Sequence, residues 1–409
     1  MRKTFQARRC PSSNEKGELP RRVVLRNHFQ IGCSELRRQR SEAGSQEQHP
    51  RFMVTPDLLT NSDIAELLAT AAESAKQPLQ KALRRASRKA FLWPEEAAHM
   101  VHEGRSLEEL AGVGPSLNRI IGRWIQDPPD VPKPPEIRAG FLTAVRARET
   151  IEANSSWLRG VKGDLQMHTL WSDGTASIEE MAQAAVARGY EYIAITDHAK
   201  GLKIAGGIDE SQLDKQAEEI AQVNAAMAST AKRFRVLRSI ELNLNPSGAG
   251  DMGADALARL DLVLGCFHSA LRKKEDQTGR YLAALRNPDL QILGHPRGRV
   301  YNFRLGLTAD WRRIFDLAAE LDKAVEIDAY PDRQDLSGDL VKLAAKAGCR
   351  ISIGTDSHGP SQLRFMEFGL ASALSAGVKR DRILNFMAVE ELLDWVGSLR
   401  KRSTRRPAA

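Results

Sequence analysis

The chain has 409 residues, 42% of them hydrophobic, which is length for two or three domains and composition for a sizeable core. No apolar run is long enough to cross a bilayer, the start lacks the pattern of a secretory signal, and four cysteines without CxxC spacing (Cys10, Cys33, Cys266, Cys349) exclude a disulfide frame or a zinc knuckle. The net charge of +8 sits at the ends: residues 1–50 hold 11 Lys/Arg against 5 Asp/Glu, and residues 400–409 add five more cations, which leaves −3 for residues 51–399.

In chain order, residues 1–52 are polar, Arg-rich and aperiodic, and read as a disordered basic tail. Met53, just before the first periodic stretch, is a candidate translation start. Ile64, Leu67, Leu68 and Ala71 fall at helical spacing, predicting a helix over 61–75 capped by Asn61 or Ser62. A second helix rich in Lys and Arg follows over 78–91. In SLEELAGVGPSLNRIIGRWI, residues 106–125, Ser106 and Glu109 form a capping-box pattern. Gly112 and Gly114 predict a tight turn, and Ile120, Ile121 and Trp124 continue a further helix. Five prolines in residues 127–137 mark a semi-rigid linker, and 138–156 reads as a connecting helix.

From Val161, β-branched runs alternate with amphipathic helices. The runs cover 161–165, 192–196, 234–242, 262–266, 291–293, 324–327 and 350–353. One intervening helix, 177–188, opens on a Ser177–Glu180 box and closes at Gly189. Seven β–α units predict a parallel α/β barrel. The expected organisation is a basic tail (1–52), a helical domain (53–127), a linker with its helix (128–156), the barrel (157–399) and a second basic tail (400–409).

The strand ends carry the chemistry. Gln166, His168 and Asp173 follow the first run, His198 the second, His268 the fourth, His295 the fifth, and Asp356 and His358 the seventh, while Glu241 lies on the third. All five histidines beyond residue 156 sit at or just past a strand end, where the functional face of a parallel barrel lies. Packing alone does not distribute histidine this way. Imidazole with carboxylate is the ligand set of Zn, Mn or Fe, and eight such groups exceed one ion's needs, so two or three divalent ions are expected.

The motifs GDLQMHTLWSDG, ITDH, ELNL, GCFHS, GHP and TDSH resemble the successive motifs of the PHP (polymerase and histidinol phosphatase) domain. With AGG at 205–207, EIDAYPDRQDL at 326–336 and LRFMEFG at 363–369, residues 160–398 look most like the PHP domain ending bacterial family X DNA polymerases. The resemblance implies a distorted (β/α)7 TIM-like barrel with a trinuclear metal site. Gln166, His168, Glu241 and Asp356 would surround the first ion, Glu241, His268 and His295 the second, and Asp173, His198 and His358 the third. Most PHP domains have His at the position of Gln166. A neutral amide oxygen is a weaker ligand there, which implies a looser or manganese-preferring first site. The implied chemistry is phosphoester hydrolysis by metal-activated water, with His168, Glu241 and Asp356 at its centre. Arg297 is the first candidate to grip the phosphate, and Arg333 and Lys200 are weaker ones.

LAGVGPSLNRII resembles a helix-hairpin-helix, in which Gly112, Val113 and Gly114 would offer backbone N–H groups to a DNA phosphate without reading sequence. Residues 61–126 resemble the small N-terminal domain of family X polymerases. Ile120 stands about where that family's lyase lysine would be, and residues 127–160 leave no room for a polymerase palm, so neither lyase nor polymerase activity is expected. The expected protein is a cytoplasmic hydrolase of nucleic-acid phosphodiesters, a 3′–5′ exonuclease or 3′-end phosphatase. It would hold DNA through the hairpin and the basic ends, without a membrane partner. The rival readings are a small-molecule phosphatase of the histidinol-phosphate kind and a weakly active barrel that serves to bind DNA.

Overall fold

The computed structural model describes residues 58–230 and 233–405, so the expectations for 1–52, including Met53, Cys10 and Cys33, lie outside the described residues. Four helices come first: α1 (Asn61–Ser74), α2 (Leu79–Ala90), α3 (Ala97–His102) and α4 (Pro115–Gln126). The cap of α1 is Thr60, one residue earlier than expected. Its hydroxyl accepts from Asp63 N while the Asp63 carboxylate accepts from Thr60 N, and Asn61 is instead buried, holding the 95–97 segment. Ser106 accepts from Glu108 N and starts only a short 3₁₀ turn, because the Glu109 carboxylate is taken by Arg105. Ile64, Leu68, Leu83, Trp93, Met100 and Ile121 fill the helical core.

The 127–137 stretch is mostly exposed, and the chain is pinned just after it. Arg138 lays a buried guanidinium on Glu66 of α1 at 2.8 Å. Helices α5 (Ala144–Glu152) and α6 (Ser156–Gly160) lead into the barrel. There β1 (Gly163–Asp164), β2 (Tyr192–Ile195) and β3 (Arg235–Arg238) form one parallel sheet. A second comprises β4 (Glu241–Asn243), β5 (Leu264–Cys266), β6 (Ile292–Leu293), β7 (Ala324–Asp328) and β8 (Arg350–Gly354). The expected third strand, 234–242, is therefore two. The backbone turns from β2 to β5 at Ser239–Ile240, where the Asp261 carboxylate takes the Arg238 N–H that a continuous ladder would use. Single parallel bridges, Met167↔Ser357 and His198↔Glu241, join the two sheets into a ring.

Around the ring run α7 (Ile178–Ala187), α8 (Glu210–Thr230), α9 (Ala254–Ala258), α10 (Thr278–Arg286), α11 (Trp311–Glu320), α12 (Gly338–Ala347) and α13 (Met366–Ser375). The Ser177–Glu180 capping box opens α7, and Gly189 at φ 81° takes the left-handed conformation that follows it. Successive side chains of β2 divide by parity: Tyr192 and Ala194 point into the barrel, Ile193 and Ile195 toward the helices. The interior is filled at its base by Leu165, Leu237, Leu264 and Ile292 and plugged by Leu392, Trp395 and Val396 of α14 (Val389–Arg405). Residues 400–405 of the expected tail thus continue a helix, and Arg400 is anchored on the Leu260 carbonyl. Among the described residues no helix is long and apolar enough to cross a membrane.

Candidate metal centre

Since the base of the barrel is packed, the polar ends of the strands converge at the opposite mouth. Gln166 and His168 stand just after β1, His198 after β2, Glu241 at the start of β4, His268 after β5, His295 after β6, and Asp356 and His358 after β8. Splitting the third strand serves this arrangement. It sets Glu241 in register with Leu264 on one side and in a bridge with His198 on the other.

Glu241 is the hub. One oxygen lies 2.8 Å from both His268 Nε2 and His295 Nε2; the other lies 3.2 Å from His168 Nε2, 3.2 Å from Gln166 Nε2 and 3.6 Å from His198 Nδ1. Asp356 Oδ1 is 2.9 Å from His168 Nε2. Asp173 Oδ1 is 3.5 Å from His198 Nε2 and 3.5 Å from His358 Nε2. The rings of His168 and His198 stack at 4.3 Å, and His168 is 4.6 Å from His358. All nine residues expected from the sequence meet in one place.

Burial opposes ionisation of Glu241, but His198 and His295 at its flank, with His168 and His268, hold it well below the usual carboxylate range. Asp356 is likewise buried, and is held down by Arg333 and His168. Burial works against a charged His168, yet the Asp356 and Glu241 carboxylates raise its pKa well above that of ordinary imidazole. Asp173, partly desolvated, is held down by His198 and His358, so three carboxylates are kept ionised at the mouth. Gln166 Oε1, His168 Nδ1 and His198 Nδ1 are buried without a hydrogen-bond partner, although buried polar atoms are nearly always satisfied. Four groups have donor atoms mutually within 4.8 Å: His168/His198/His358, His198/Glu241/His268, Glu241/Cys266/His295 and His168/Glu241/Asp356. Ionised carboxylate, imidazole nitrogen and unsatisfied acceptors fit divalent cations.

The structure places other residues away from expectation. Arg297 does not face the cluster: its guanidinium points to the Leu307 carbonyl and to Glu136 at 3.7 Å, because the backbone turns at Gly298 immediately after it. Lys200 is drawn outward by Glu210 at 2.7 Å. Arg333 takes the inward position, 3.1 Å from Asp356. Val113 is buried in the helical core and its N–H bonds to Leu110, so only Gly112 and Gly114 of the turn remain exposed or half-exposed.

Three buried groups at the centre are additional to those expected. Cys266 brings Sγ beside Glu241 and His295; burial and then Glu241 hold it as a protonated thiol. Glu326 Oε2 accepts from His295 N at 2.6 Å, and Asp328 lies beneath Arg333. Burial pushes both carboxyls well above the usual range, helped by the Asp328 charge at Glu326 and by the Asp356 charge at Asp328. The readable signal was Glu and Asp two apart in an otherwise apolar strand, which points both into the barrel.

Residues 164–356 match the PHP domain family. This stretch of the chain is a PHP domain. The chain is 35% identical over 260 residues to the DNA polymerase/3′-5′ exonuclease PolX of Bacillus subtilis (strain 168), a match covering 63% of this chain and 45% of that protein. The chain therefore spans less than half the length of this relative. A probable phosphatase of Thermoanaerobacter sp. (strain X514) is 26% identical over 237 residues, covering 54% of this chain and 89% of the relative. Among solved structures, the histidinol phosphate phosphatase of Lactococcus lactis, in complex with zinc, L-histidinol and phosphate, aligns at 18% identity and a TM-score of 0.40, covering 53% and 94% of the two chains.

Proposed function

We propose that the chain is a metal-dependent phosphoesterase, a hydrolase of ester bonds, that acts on nucleic-acid ends in DNA repair in the cytoplasm, as a 3′–5′ exonuclease or 3′-end phosphatase, with two or three Zn, Mn or Fe ions at the mouth. One observation carries the reading. Tyr301, from the loop after β6, is buried in the core of the helical segment, which ties that segment to the mouth where the donors converge. The segment serves as a helix-hairpin-helix domain, with the exposed N-terminus of α4 behind Gly112 and Gly114 receiving a strand phosphate. The likeness to the polymerase/exonuclease over 63% of this chain supports the same reading.

Gln166, His168, Glu241 and Asp356 would hold one ion, Glu241, His268 and His295 another, and Asp173, His198 and His358 a third. Bound divalent ions supply polarisation of a phosphoryl oxygen and a nucleophile at neutral pH. Arg333, anchored on Asp356 and turned to the cleft, grips the phosphate in place of Arg297. Glu326 fixes the His295 backbone, and so the direction of its ring. A second reading, hydrolysis of small phosphomonoesters, draws support from the probable phosphatase that matches over 89% of its length.

Labelled single-stranded DNA with purified protein and added manganese separates these. Stepwise loss from the 3′ end is the expected result. Release of phosphate from monoesters alone would favour the second reading, and DNA retained without turnover would reduce the barrel to a binding module. His168→Ala and Asp356→Ala should each abolish turnover with the circular dichroism spectrum unchanged.

A further inference from the structure

Helix α2 presents Lys81, Arg84, Arg85, Arg88 and Lys89 to solvent, and none makes an ion pair with a described residue. Its opposite face, Leu83, Ala86, Ser87 and Ala90, is buried. Ser87 ties this helix to the mouth: its hydroxyl shares a hydrogen bond with Tyr301 Oη at 2.9 Å. Tyr301 lies in a tight hairpin closed by the Val300↔Arg304 bridge, and its N–H donates to the Asp332 carbonyl at 2.7 Å. The same hairpin is held by Arg138, whose Nη1 donates to Asn302 Oδ1 at 3.3 Å. Beyond it, Phe303 is 57% exposed, with Arg272 from the loop after β5 lying over its ring at 4.6 Å. Arg304 lies within reach of the Arg333 and Arg272 charges, and Asp332 within reach of those of Arg333 and Arg88, so cations recur between α2 and the cleft with Asp332 and Asp335 among them.

The rim is also apolar. Of the six large hydrophobic side chains exposed among the described residues, Leu170, Ile204, Phe303 and Leu305 lie on the loops after β1, β2 and β6, all at the mouth. A body that carries −3 between residues 51 and 399, yet lines one route with unpaired cations and ends it at an exposed ring on the loop after β6, suits a partner with both phosphates and flat bases.

We infer that a single nucleic-acid strand runs over the basic face of α2 and across the 300–304 hairpin into the cleft, with a base near its end stacked on Phe303 against Arg272. This rests on the nucleic-acid reading above and adds the route and the preference for single strands. Backbone contacts to α2 position the strand. Stacking on Phe303 sets the nucleotide next to the cleft without selecting sequence. The hairpin, fixed by Ser87 and Arg138, holds helix and mouth at one spacing.

The test uses the full manganese-loaded chain, a short labelled single strand, and bis-p-nitrophenyl phosphate as a substrate too small to reach α2. Arg84→Gln/Arg85→Gln/Arg88→Gln keeps helix propensity. It is expected to lower kcat/KM on the strand about tenfold or more relative to the small ester, and to flatten the slope of log KM against log salt by about 2. Phe303→Ala should lower the same ratio about five- to 100-fold, with Phe303→Trp restoring it. If the protein degrades the strand but both variants keep its ratio and salt slope, the route is wrong while the nuclease reading stands. If it hydrolyses the small ester but neither binds nor degrades the strand, the nucleic-acid reading fails and the route with it. Loss of binding to phosphatidylserine vesicles in the triple variant, with strand turnover untouched, would assign the face to a membrane surface and overturn the proposal.

Discussion

Glu241, Asp356 and Asp173 share one end of the barrel with Glu326, Asp328 and Asp164, and five of the six are buried, yet the two sets ionise in opposite directions. The first set faces imidazoles and Arg333, and is held below the usual carboxylate range. The second set lies deeper and is raised: Glu326 by burial and the Asp328 charge, Asp328 by burial and the Asp356 charge, Asp164 by burial to about 6 despite its bonds from Thr355. Burial alone does not make a ligand. A carboxylate surrounded by donors of positive charge is ready for a cation, and one surrounded by other carboxylates keeps its proton and supports its neighbours.

The largest effect that would sharpen this contrast is loss of the hub. Glu241→Gln should lower kcat by roughly 10³-fold or more, as removal of a central electrostatic group does elsewhere, and bound metal measured by mass spectrometry should fall with it. A variant that keeps its metal and its rate would remove the distinction between the two sets. Arg333→Gln should cost about 10- to 100-fold, the usual scale for a group that orients a metal site, with Arg333→Lys recovering part of it.

Gly354 probes the contact between the sets. A Cβ there would sit 2.3 Å from Glu326 Oε1 and 2.6 Å from Gln166 Cβ. Gly354→Ala should therefore destabilise by about 1–3 kcal/mol, the cost of overpacking, and weaken metal retention, read by thermal unfolding and metal analysis. For Asp164 the sign follows from its raised pKa. The folded state binds the proton more tightly than the unfolded chain, so the stabilisation is full below the unfolded value of 3.8 and is lost as pH rises through about 6. The span is about 3 kcal/mol. Asp164→Asn should flatten denaturant-measured stability across that window, and an unchanged slope would assign it to another group. The smallest effect belongs to Glu326→Gln, which keeps an acceptor for His295 N; activity should change by less than about tenfold. A loss as large as that of Glu241→Gln would show that Glu326 is ionised and part of the donor set.

The amino-acid sequence by itself determined the parallel β–α alternation, the Ser177 cap of α7, and the run of donors just past the strand ends, with Glu241 on a strand of its own. These are local facts: side-chain parity, capping chemistry and position relative to a strand end survive in one dimension. Which arginine turns inward was decided only in three, because Gly298 and Glu136 swing Arg297 away while the loop after β7 aims Arg333 at Asp356. The break at Ser239–Ile240 was also tertiary, since Asp261, a residue over twenty positions away, supplies the carboxylate that ends the ladder. So too was the seating of Tyr301 in the helical core, from a partner 214 residues distant. Charge balance and packing between residues far apart in sequence leave no periodic trace, and only the folded chain brings them together.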